Sequence, residues 1–170
     1  MQIRTADPGA DAAACAAIYA PYVTDTVVSF EVEAPEPPEL AGRMRRAIEW
    51  VVATEDDRVL GYGYAGRHAA RAAYRWAAEV SIYLDATARG RGLGRALYTE
   101  LLSRLARRGY RMATACIAVP NPASVGLHTA MGFTPVGTFR GIGWKDGSWH
   151  DVMWMQRPLG EPGPPRGEPR

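Results

Sequence analysis

The residues with the clearest chemical potential are Arg89, Gly90, Arg91, Gly92, Leu93, Gly94 and Arg95, where glycines alternate with arginines and lead into an amphipathic run. Glycines remove side chains that would block a ligand and admit backbone shapes closed to other residues. A helix starting there points several unpaired N–H groups, and the positive end of its dipole, at one spot. Such a loop suits phosphate oxygens, and it equally suits a flexible helix start with solvated arginines. Three familiar occupants fit badly. A dinucleotide fingerprint needs G-x-G-x-x-G, whereas Gly90, Gly92 and Gly94 give G-x-G-x-G, with no acidic residue well placed on a following strand. A triphosphate loop ends in Gly-Lys-Ser or Gly-Lys-Thr, which the chain lacks. DNA could meet Arg89, Arg91, Arg95, Arg104, Arg107 and Arg108, but no helix-turn-helix partner or aromatic interleaving accompanies them, and the net charge is only +2.

Four other residues stand out by type and setting. Glu79 lies in "AAEVSIYL", a run that should be half-buried, where a carboxylate is costly unless paired or functional. Burial raises a carboxyl pKa and makes the group a better base. His128 titrates near neutral pH and can serve as acid or base. Arg71 and Tyr74 in "RAAY" combine a guanidinium fork with a phenol, a pairing suited to carboxylate oxygens. His68 and His150 belong to no metal-binding triad, so no metal is expected.

These groups must be held by a fold, and periodicity predicts one. "MQIRTA" reads as a strand, residues 8–20 as an alanine-rich helix from Pro8, and 39–47 as a second helix after the proline-rich "EAPEPPEL". "EWVVATED" and "RVLGYGYAGR" form a hairpin over Asp56-Asp57. "AAEVSIYLD" is a strand. A helix over 93–108 puts Leu93, Leu97, Leu101, Leu102 and Leu105 on one face and stops at Gly109. "RMATACIAV", a short helix before Met131, "FTPVGTFRG" and "SWHDVMWMQRPL" complete a mixed α/β sheet in one domain. The domain is expected over 1–157, with 158–170 a disordered Gly/Pro-rich tail. Cys15 and Cys116 are far apart and suggest neither disulfide framework nor metal site, which fits a reducing cytoplasm. The apolar run "AAACAAIYA" is too short to span a membrane, and neither membrane nor nucleic acid is an expected partner.

Arg89 to Gly94 resembles the [QR]-x-x-G-x-[GA] loop of the GNAT family of N-acetyltransferases, and "NPASVGLHTAMGF" resembles that family's second element, an Asn followed by a helix ending in a Gly-Phe turn. The two together are far more specific than either alone, and the resemblance runs over residues 1–157. "TVVSFE", "RAAYRW", "AEVSIYLD" and above all "WKDGSWHDV" are similar to the phosphinothricin and methionine sulfone/sulfoximine acetyltransferase subfamily. The resemblance implies a mostly antiparallel sheet of about seven strands with a splayed pair, flanked by helices. It implies acetyl-CoA as co-substrate, its pyrophosphate on Arg89, Gly90, Arg91, Gly92, Leu93, Gly94 and Arg95. It assigns the pantetheine and thioester to backbone amides at Ile82, Tyr83 and Leu84, with Asn121 and Ser124 also touching the coenzyme; Asn and Ser equally suit helix capping. It implies Glu79 as base, directly or through water. Many relatives carry Tyr where this chain has His128, a position assigned to protonating the leaving thiolate. The acceptor, a small glutamate- or methionine-like amino acid, would meet Arg71, Tyr74 and a wall at Phe30. Trp144, Lys145 and Trp149 would shape a pocket rim or the edge of a homodimer. Other amine acceptors, and a non-catalytic acyl-CoA or DNA-binding module, stay open at this stage.

Overall fold

In the computed structural model, described for residues 1–165 and 167–170, the elements follow the order expected from periodicity. They are β1 (Gln2–Thr5), α1 (Ala12–Thr24), α2 (Pro37–Arg46), β2 (Glu49–Glu55), β3 (Arg58–Arg67), β4 (Ala77–Leu84), α3 (Leu93–Arg107), β5 (Met112–Val119), α4 (Pro122–Ala130), β6 (Thr134–Lys145) and β7 (Ser148–Pro158). Short 3-10 turns at Ala72–Tyr74 and Ala86–Ala88 flank β4. Arg166, part of the expected tail, lies outside the described residues.

Two helix starts differ from expectation. Helix α1 begins at Ala12 rather than Pro8, because the Asp7 carboxylate accepts from the Gly9 and Ala10 amides and folds residues 7–10 into a turn. Asp11 then sits between the Arg4 guanidinium, at 2.6 and 2.8 Å, and the Asp7 amide at 2.7 Å. Helix α2 begins two residues early, at Pro37, since a ring that fixes φ and lacks an N–H suits a first helical turn.

The seven strands form one sheet in the order β1-β2-β3-β4-β5-β7-β6. Only β4 and β5 run parallel. Their pairing is brief: Ala77↔Met112, Ala78↔Ala113 and Glu79↔Thr114. Beyond that point β4 stays with β3 up to Leu84, and β5 stays with β7 up to Val119. The sheet therefore opens as a V between Val80–Leu84 and Ala115–Val119. Alternating residues serve two cores. Val51, Ala53, Val80, Ala113, Ala115 and Ile117 pack beneath the leucine stripe of α3. Trp50, Val52, Tyr62 and their neighbours pack against α1 and α2. The tail runs back along the fold: the Trp76 indole donates to the Gly167 carbonyl at 2.9 Å, and Arg75 pairs with Glu168 at 2.6 Å. Among the described residues no helix is long and apolar enough to cross a membrane.

Candidate active site

The V leads into a cleft of about 500 Å³ between β4, the start of α3 and α4. Its floor is the glycine loop. Gly90 (φ 75°) and Gly92 (φ 79°) adopt the left-handed conformation, and a Cβ at either would meet nothing within 4 Å, so the loop faces open space. Gly92 is the N-cap of α3, whose first internal bond runs from the Ala96 amide to the Gly92 carbonyl. The amides of Leu93, Gly94 and Arg95 are thus left without helical acceptors at the positive end of the dipole. Gly94 is glycine for a different reason: a Cβ there would lie 3.0 Å from Leu127 Cδ2, so it allows α4 to close on α3.

Ile82, Leu84, Arg89, Gly90, Gly92, Leu93, Gly94, Arg95, Asn121, Ser124 and His128 line this one cleft. Three calls need correction in detail. Arg91 points away and pairs with Glu55 at 2.9 Å. Leu84 has no free amide, because Tyr22 Oη accepts its N–H at 3.2 Å and donates to its carbonyl at 2.7 Å. The Asp85 amide donates to Leu60 on β3, so alternation along the strand turns the Tyr83 amide back to β3 and leaves the Ile82 amide, beyond the last β4–β5 rung, facing the V. The Tyr83 ring packs against Tyr19 and Tyr22 instead. Asn121 and Ser124 do form a helix cap, the Asn121 Oδ1 accepting the Ser124 amide at 3.0 Å.

His128 is 6% exposed and fully engaged. Its Nδ1 lies 2.7 Å from the Ser124 carbonyl, which can only accept, so that nitrogen carries a proton. Its Nε2 lies 2.7 Å from the Tyr98 hydroxyl. In the neutral ring, Tyr98 therefore donates to Nε2. Burial lowers the His128 pKa, opposed by the Ser124 carbonyl, and burial raises that of Tyr98. Neither ring nitrogen is free to meet a substrate as a direct acid or base.

Glu79 presents the opposite case. It sits on the last paired rung of β4 and β5, half-buried, and no hydrogen bond or salt bridge engages it among the described residues. Burial raises its pKa, opposed by the neighbouring His68. Cys116, on the open face of β5, feels the Glu79 charge in addition to burial, and its thiol is pushed up to about 11.

The acceptor residues are not gathered into one place. Phe30 covers Gly143 of β6, where any Cβ would overlap its ring. Arg71 and Tyr74 line a separate cavity of about 380 Å³ at the paired end of β4, beside Glu168. Tyr74 is linked toward Glu79 through His68, whose ring meets Tyr74 and Trp154 edge-on at 5.7 Å and whose Nδ1 lies 3.0 Å from Thr114 Oγ1. Sequence reading missed Tyr22 and Tyr98, and weighed His68 only as a metal ligand. Tyr98 lies on the apolar face of α3, and a lone phenol within a leucine stripe was the available signal; nothing local marks Tyr22.

The fold and cleft together define an acyl-coenzyme A-dependent acyltransferase: an open V between parallel strands, closed at one end by a glycine loop on a helix N-terminus. Residues 8–154 match the Acetyltransferase (GNAT) domain. The chain belongs to the GNAT family and is an acetyl-CoA-dependent N-acetyltransferase. It is 39% identical to a phosphinothricin N-acetyltransferase of Streptomyces viridochromogenes, over 98% of this chain and 92% of the relative. It is 34% identical to an L-methionine sulfoximine/L-methionine sulfone acetyltransferase of Salmonella typhimurium, over 65% of each. The crystal structure of a phosphinothricin acetyltransferase from Sinorhizobium meliloti in complex with AcCoA superposes with a TM-score of 0.92 at 37% identity, covering 98% of this chain and 94% of that one.

Proposed function

We propose that the chain acetylates the α-amino group of a small amino acid of the phosphinothricin or methionine sulfoximine/sulfone type, with Glu79 as the base. The carrying observation is the unpaired, half-buried Glu79 carboxyl where β4 and β5 part. The relatives' substrates support the acceptor class. Acetyl-CoA supplies the acetyl thioester. The loop amides of residues 92–95 with Arg89 and Arg95 would hold its pyrophosphate, and the Ile82 amide faces the V where the thioester carbonyl would lie. Glu79 takes a proton from the acceptor's ammonium, directly or through water; the free amine then attacks the thioester carbonyl, the C–S bond breaks, and coenzyme A leaves as a thiolate neutralised by the second proton released from nitrogen. His128 then orients Tyr98 rather than acting alone. Incubation with acetyl-CoA and a panel of amines, following free thiol, tests this reading; turnover of amino acids and not of peptides or polyamines is the expected pattern. A second reading, acetylation of a protein N-terminus, is favoured by the fold of a ribosomal-protein-alanine N-acetyltransferase from Brucella melitensis, at 31% identity and TM-score 0.87. An alanine-terminated peptide turned over faster than any free amino acid would select it.

Two smaller predictions belong here. We propose that Arg71 reaches the acceptor's carboxylate from its neighbouring cavity; Arg71→Ala should then raise KM for L-phosphinothricin about 10- to 100-fold with kcat nearly unchanged, and an unaltered KM excludes Arg71 from the acceptor site. Tyr98→Phe leaves the buried His128 Nε2 without its donor, at a cost of about 1–3 kcal/mol. Calorimetry should show the unfolding midpoint drop by about 3–8 °C.

Homodimer formation is also proposed. Val136, Phe139, Ile142, Trp144 and Trp149 leave exposed apolar surface along the β6–β7 edge, and sedimentation should return twice the mass of one chain. The two unpaired cysteines suit a cytoplasmic setting.

A further inference from the structure

Lys145 is the chain's only lysine, and it is 8% exposed. A buried ammonium is costly unless its three donors are satisfied. All three are: Nζ donates to the carbonyls of Val23 at 2.6 Å, Thr26 at 2.9 Å and Ser29 at 2.7 Å. These partners lie on one segment more than a hundred residues away, the end of α1 and the strap that follows it. Among the described residues no carboxylate bonds the ammonium; its contacts are to backbone carbonyls, so they fix the path of the strap rather than any side chain.

The strap is where the two halves of the site meet. Thr26 and Val28 line the coenzyme cleft, and Val28 also lines the gap between β4 and β5. Phe30 rests on Gly143, two residues before Lys145. On its far flank the strap is braced separately: Tyr19 Oη lies 2.7 Å from Ser29 Oγ and donates to Glu31 at 2.9 Å, and Arg43 grips both Glu31 oxygens at 2.6 and 2.8 Å. The β6–β7 turn is held as well, with His150 Nε2 2.9 Å from the Lys145 carbonyl.

We infer that Lys145 is a positioning residue for acetyl transfer, its ammonium pinning residues 23–29 as a strap so that Thr26, Val28 and Phe30 keep the wall between coenzyme cleft and acceptor. It acts through the strap and touches no reacting atom. The inference rests on the acceptor reading proposed above insofar as Phe30 walls the acceptor.

Two measurements test it. With 15N-lysine labelling, the only lysine gives one side-chain ammonium signal, which should persist at neutral pH because its protons are buried and bonded; a signal lost to fast exchange, as for a free surface amine, overturns the pin. In Lys145→Met, amides of residues 23–31 should exchange hydrogen at least about 10-fold faster, and KM for L-phosphinothricin should rise about 10-fold while kcat and the acetyl-CoA Kd stay within about 3-fold. A merely structural role would lower the unfolding midpoint and leave KM alone. Unchanged exchange in 23–31 overturns the pin; faster exchange with unchanged KM overturns the positioning role. If the parent enzyme does not turn over L-phosphinothricin, the acceptor reading fails, and hydrogen exchange still decides the pin. Should Lys145→Met not fold, Lys145→Arg serves: it keeps the charge, but a planar fork cannot meet three converging carbonyls, so the same loosening is expected.

Discussion

Glu79→Gln should lower kcat/KM by about 10²- to 10⁴-fold, the usual contribution of a positioned general base. The amide keeps the size of the carboxyl and loses only its basicity. Because burial raises the Glu79 pKa, the base is protonated and idle at low pH, and kcat/KM of the parent enzyme should climb as pH rises through that raised value. In the variant this limb should vanish, leaving only the rise from deprotonation of the acceptor ammonium. Stability should move the other way. A carboxyl whose folded pKa exceeds its unfolded pKa binds its proton more tightly when folded, so its ionisation costs stability as pH rises through that interval. The cost is absent below the unfolded pKa and fully present above the folded one. Glutamine escapes it, so the variant should unfold at an equal or higher temperature than the parent at neutral pH. Full activity in a folded Glu79→Gln enzyme would remove Glu79 from the chemistry; a lower midpoint would mark it as structural.

Gly92→Val should weaken acetyl-CoA binding by about 10- to 100-fold, measured by titration calorimetry. Gly92 holds φ 79° at the N-cap of α3, and a side chain there costs about 1–2 kcal/mol, more for a branched one. The valine has room, since nothing lies within 4 Å of its Cβ, but that room is the proposed anion seat. Coenzyme A without the acetyl group should lose affinity by the same factor, because both carry the pyrophosphate. If acetyl-CoA binding stays within about 3-fold, the seat is elsewhere.

Features that depend on neighbours in the chain were readable before any coordinates. The glycine loop is one: alternating glycines followed by an amphipathic run already specify a helix that starts at an open, donor-rich turn. The Asp56-Asp57 hairpin is another, both residues taking positive φ as a tight hairpin turn requires. Element order followed from periods of two and 3.6, which are properties of local backbone geometry. Helix starts slipped where a side chain competed with the helix for backbone amides, as Asp7 does.

Partner choice was not readable, because charge and hydrogen-bonding capacity do not say what will lie opposite. Arg91 and Arg89 look alike in the loop, yet one turns to Glu55 and the other lies 5.2 Å over the Tyr22 ring. His128 looks like a free acid or base until the fold places Tyr98 and the Ser124 carbonyl against its two nitrogens. Lys145 reads as part of a pocket rim or dimer edge until Val23, Thr26 and Ser29 converge on it. Local pattern thus set the open glycine loop, and the resemblance of its motif and of the segment 121–133 pointed to the family, since both are carried by residues close together in the chain. Which titratable groups are tied and which stand free was left to packing, since burial and opposing partners come from residues distant in the chain. On that basis Glu79, without a side-chain partner among the described residues where β4 and β5 separate, is the group we propose for the chemistry.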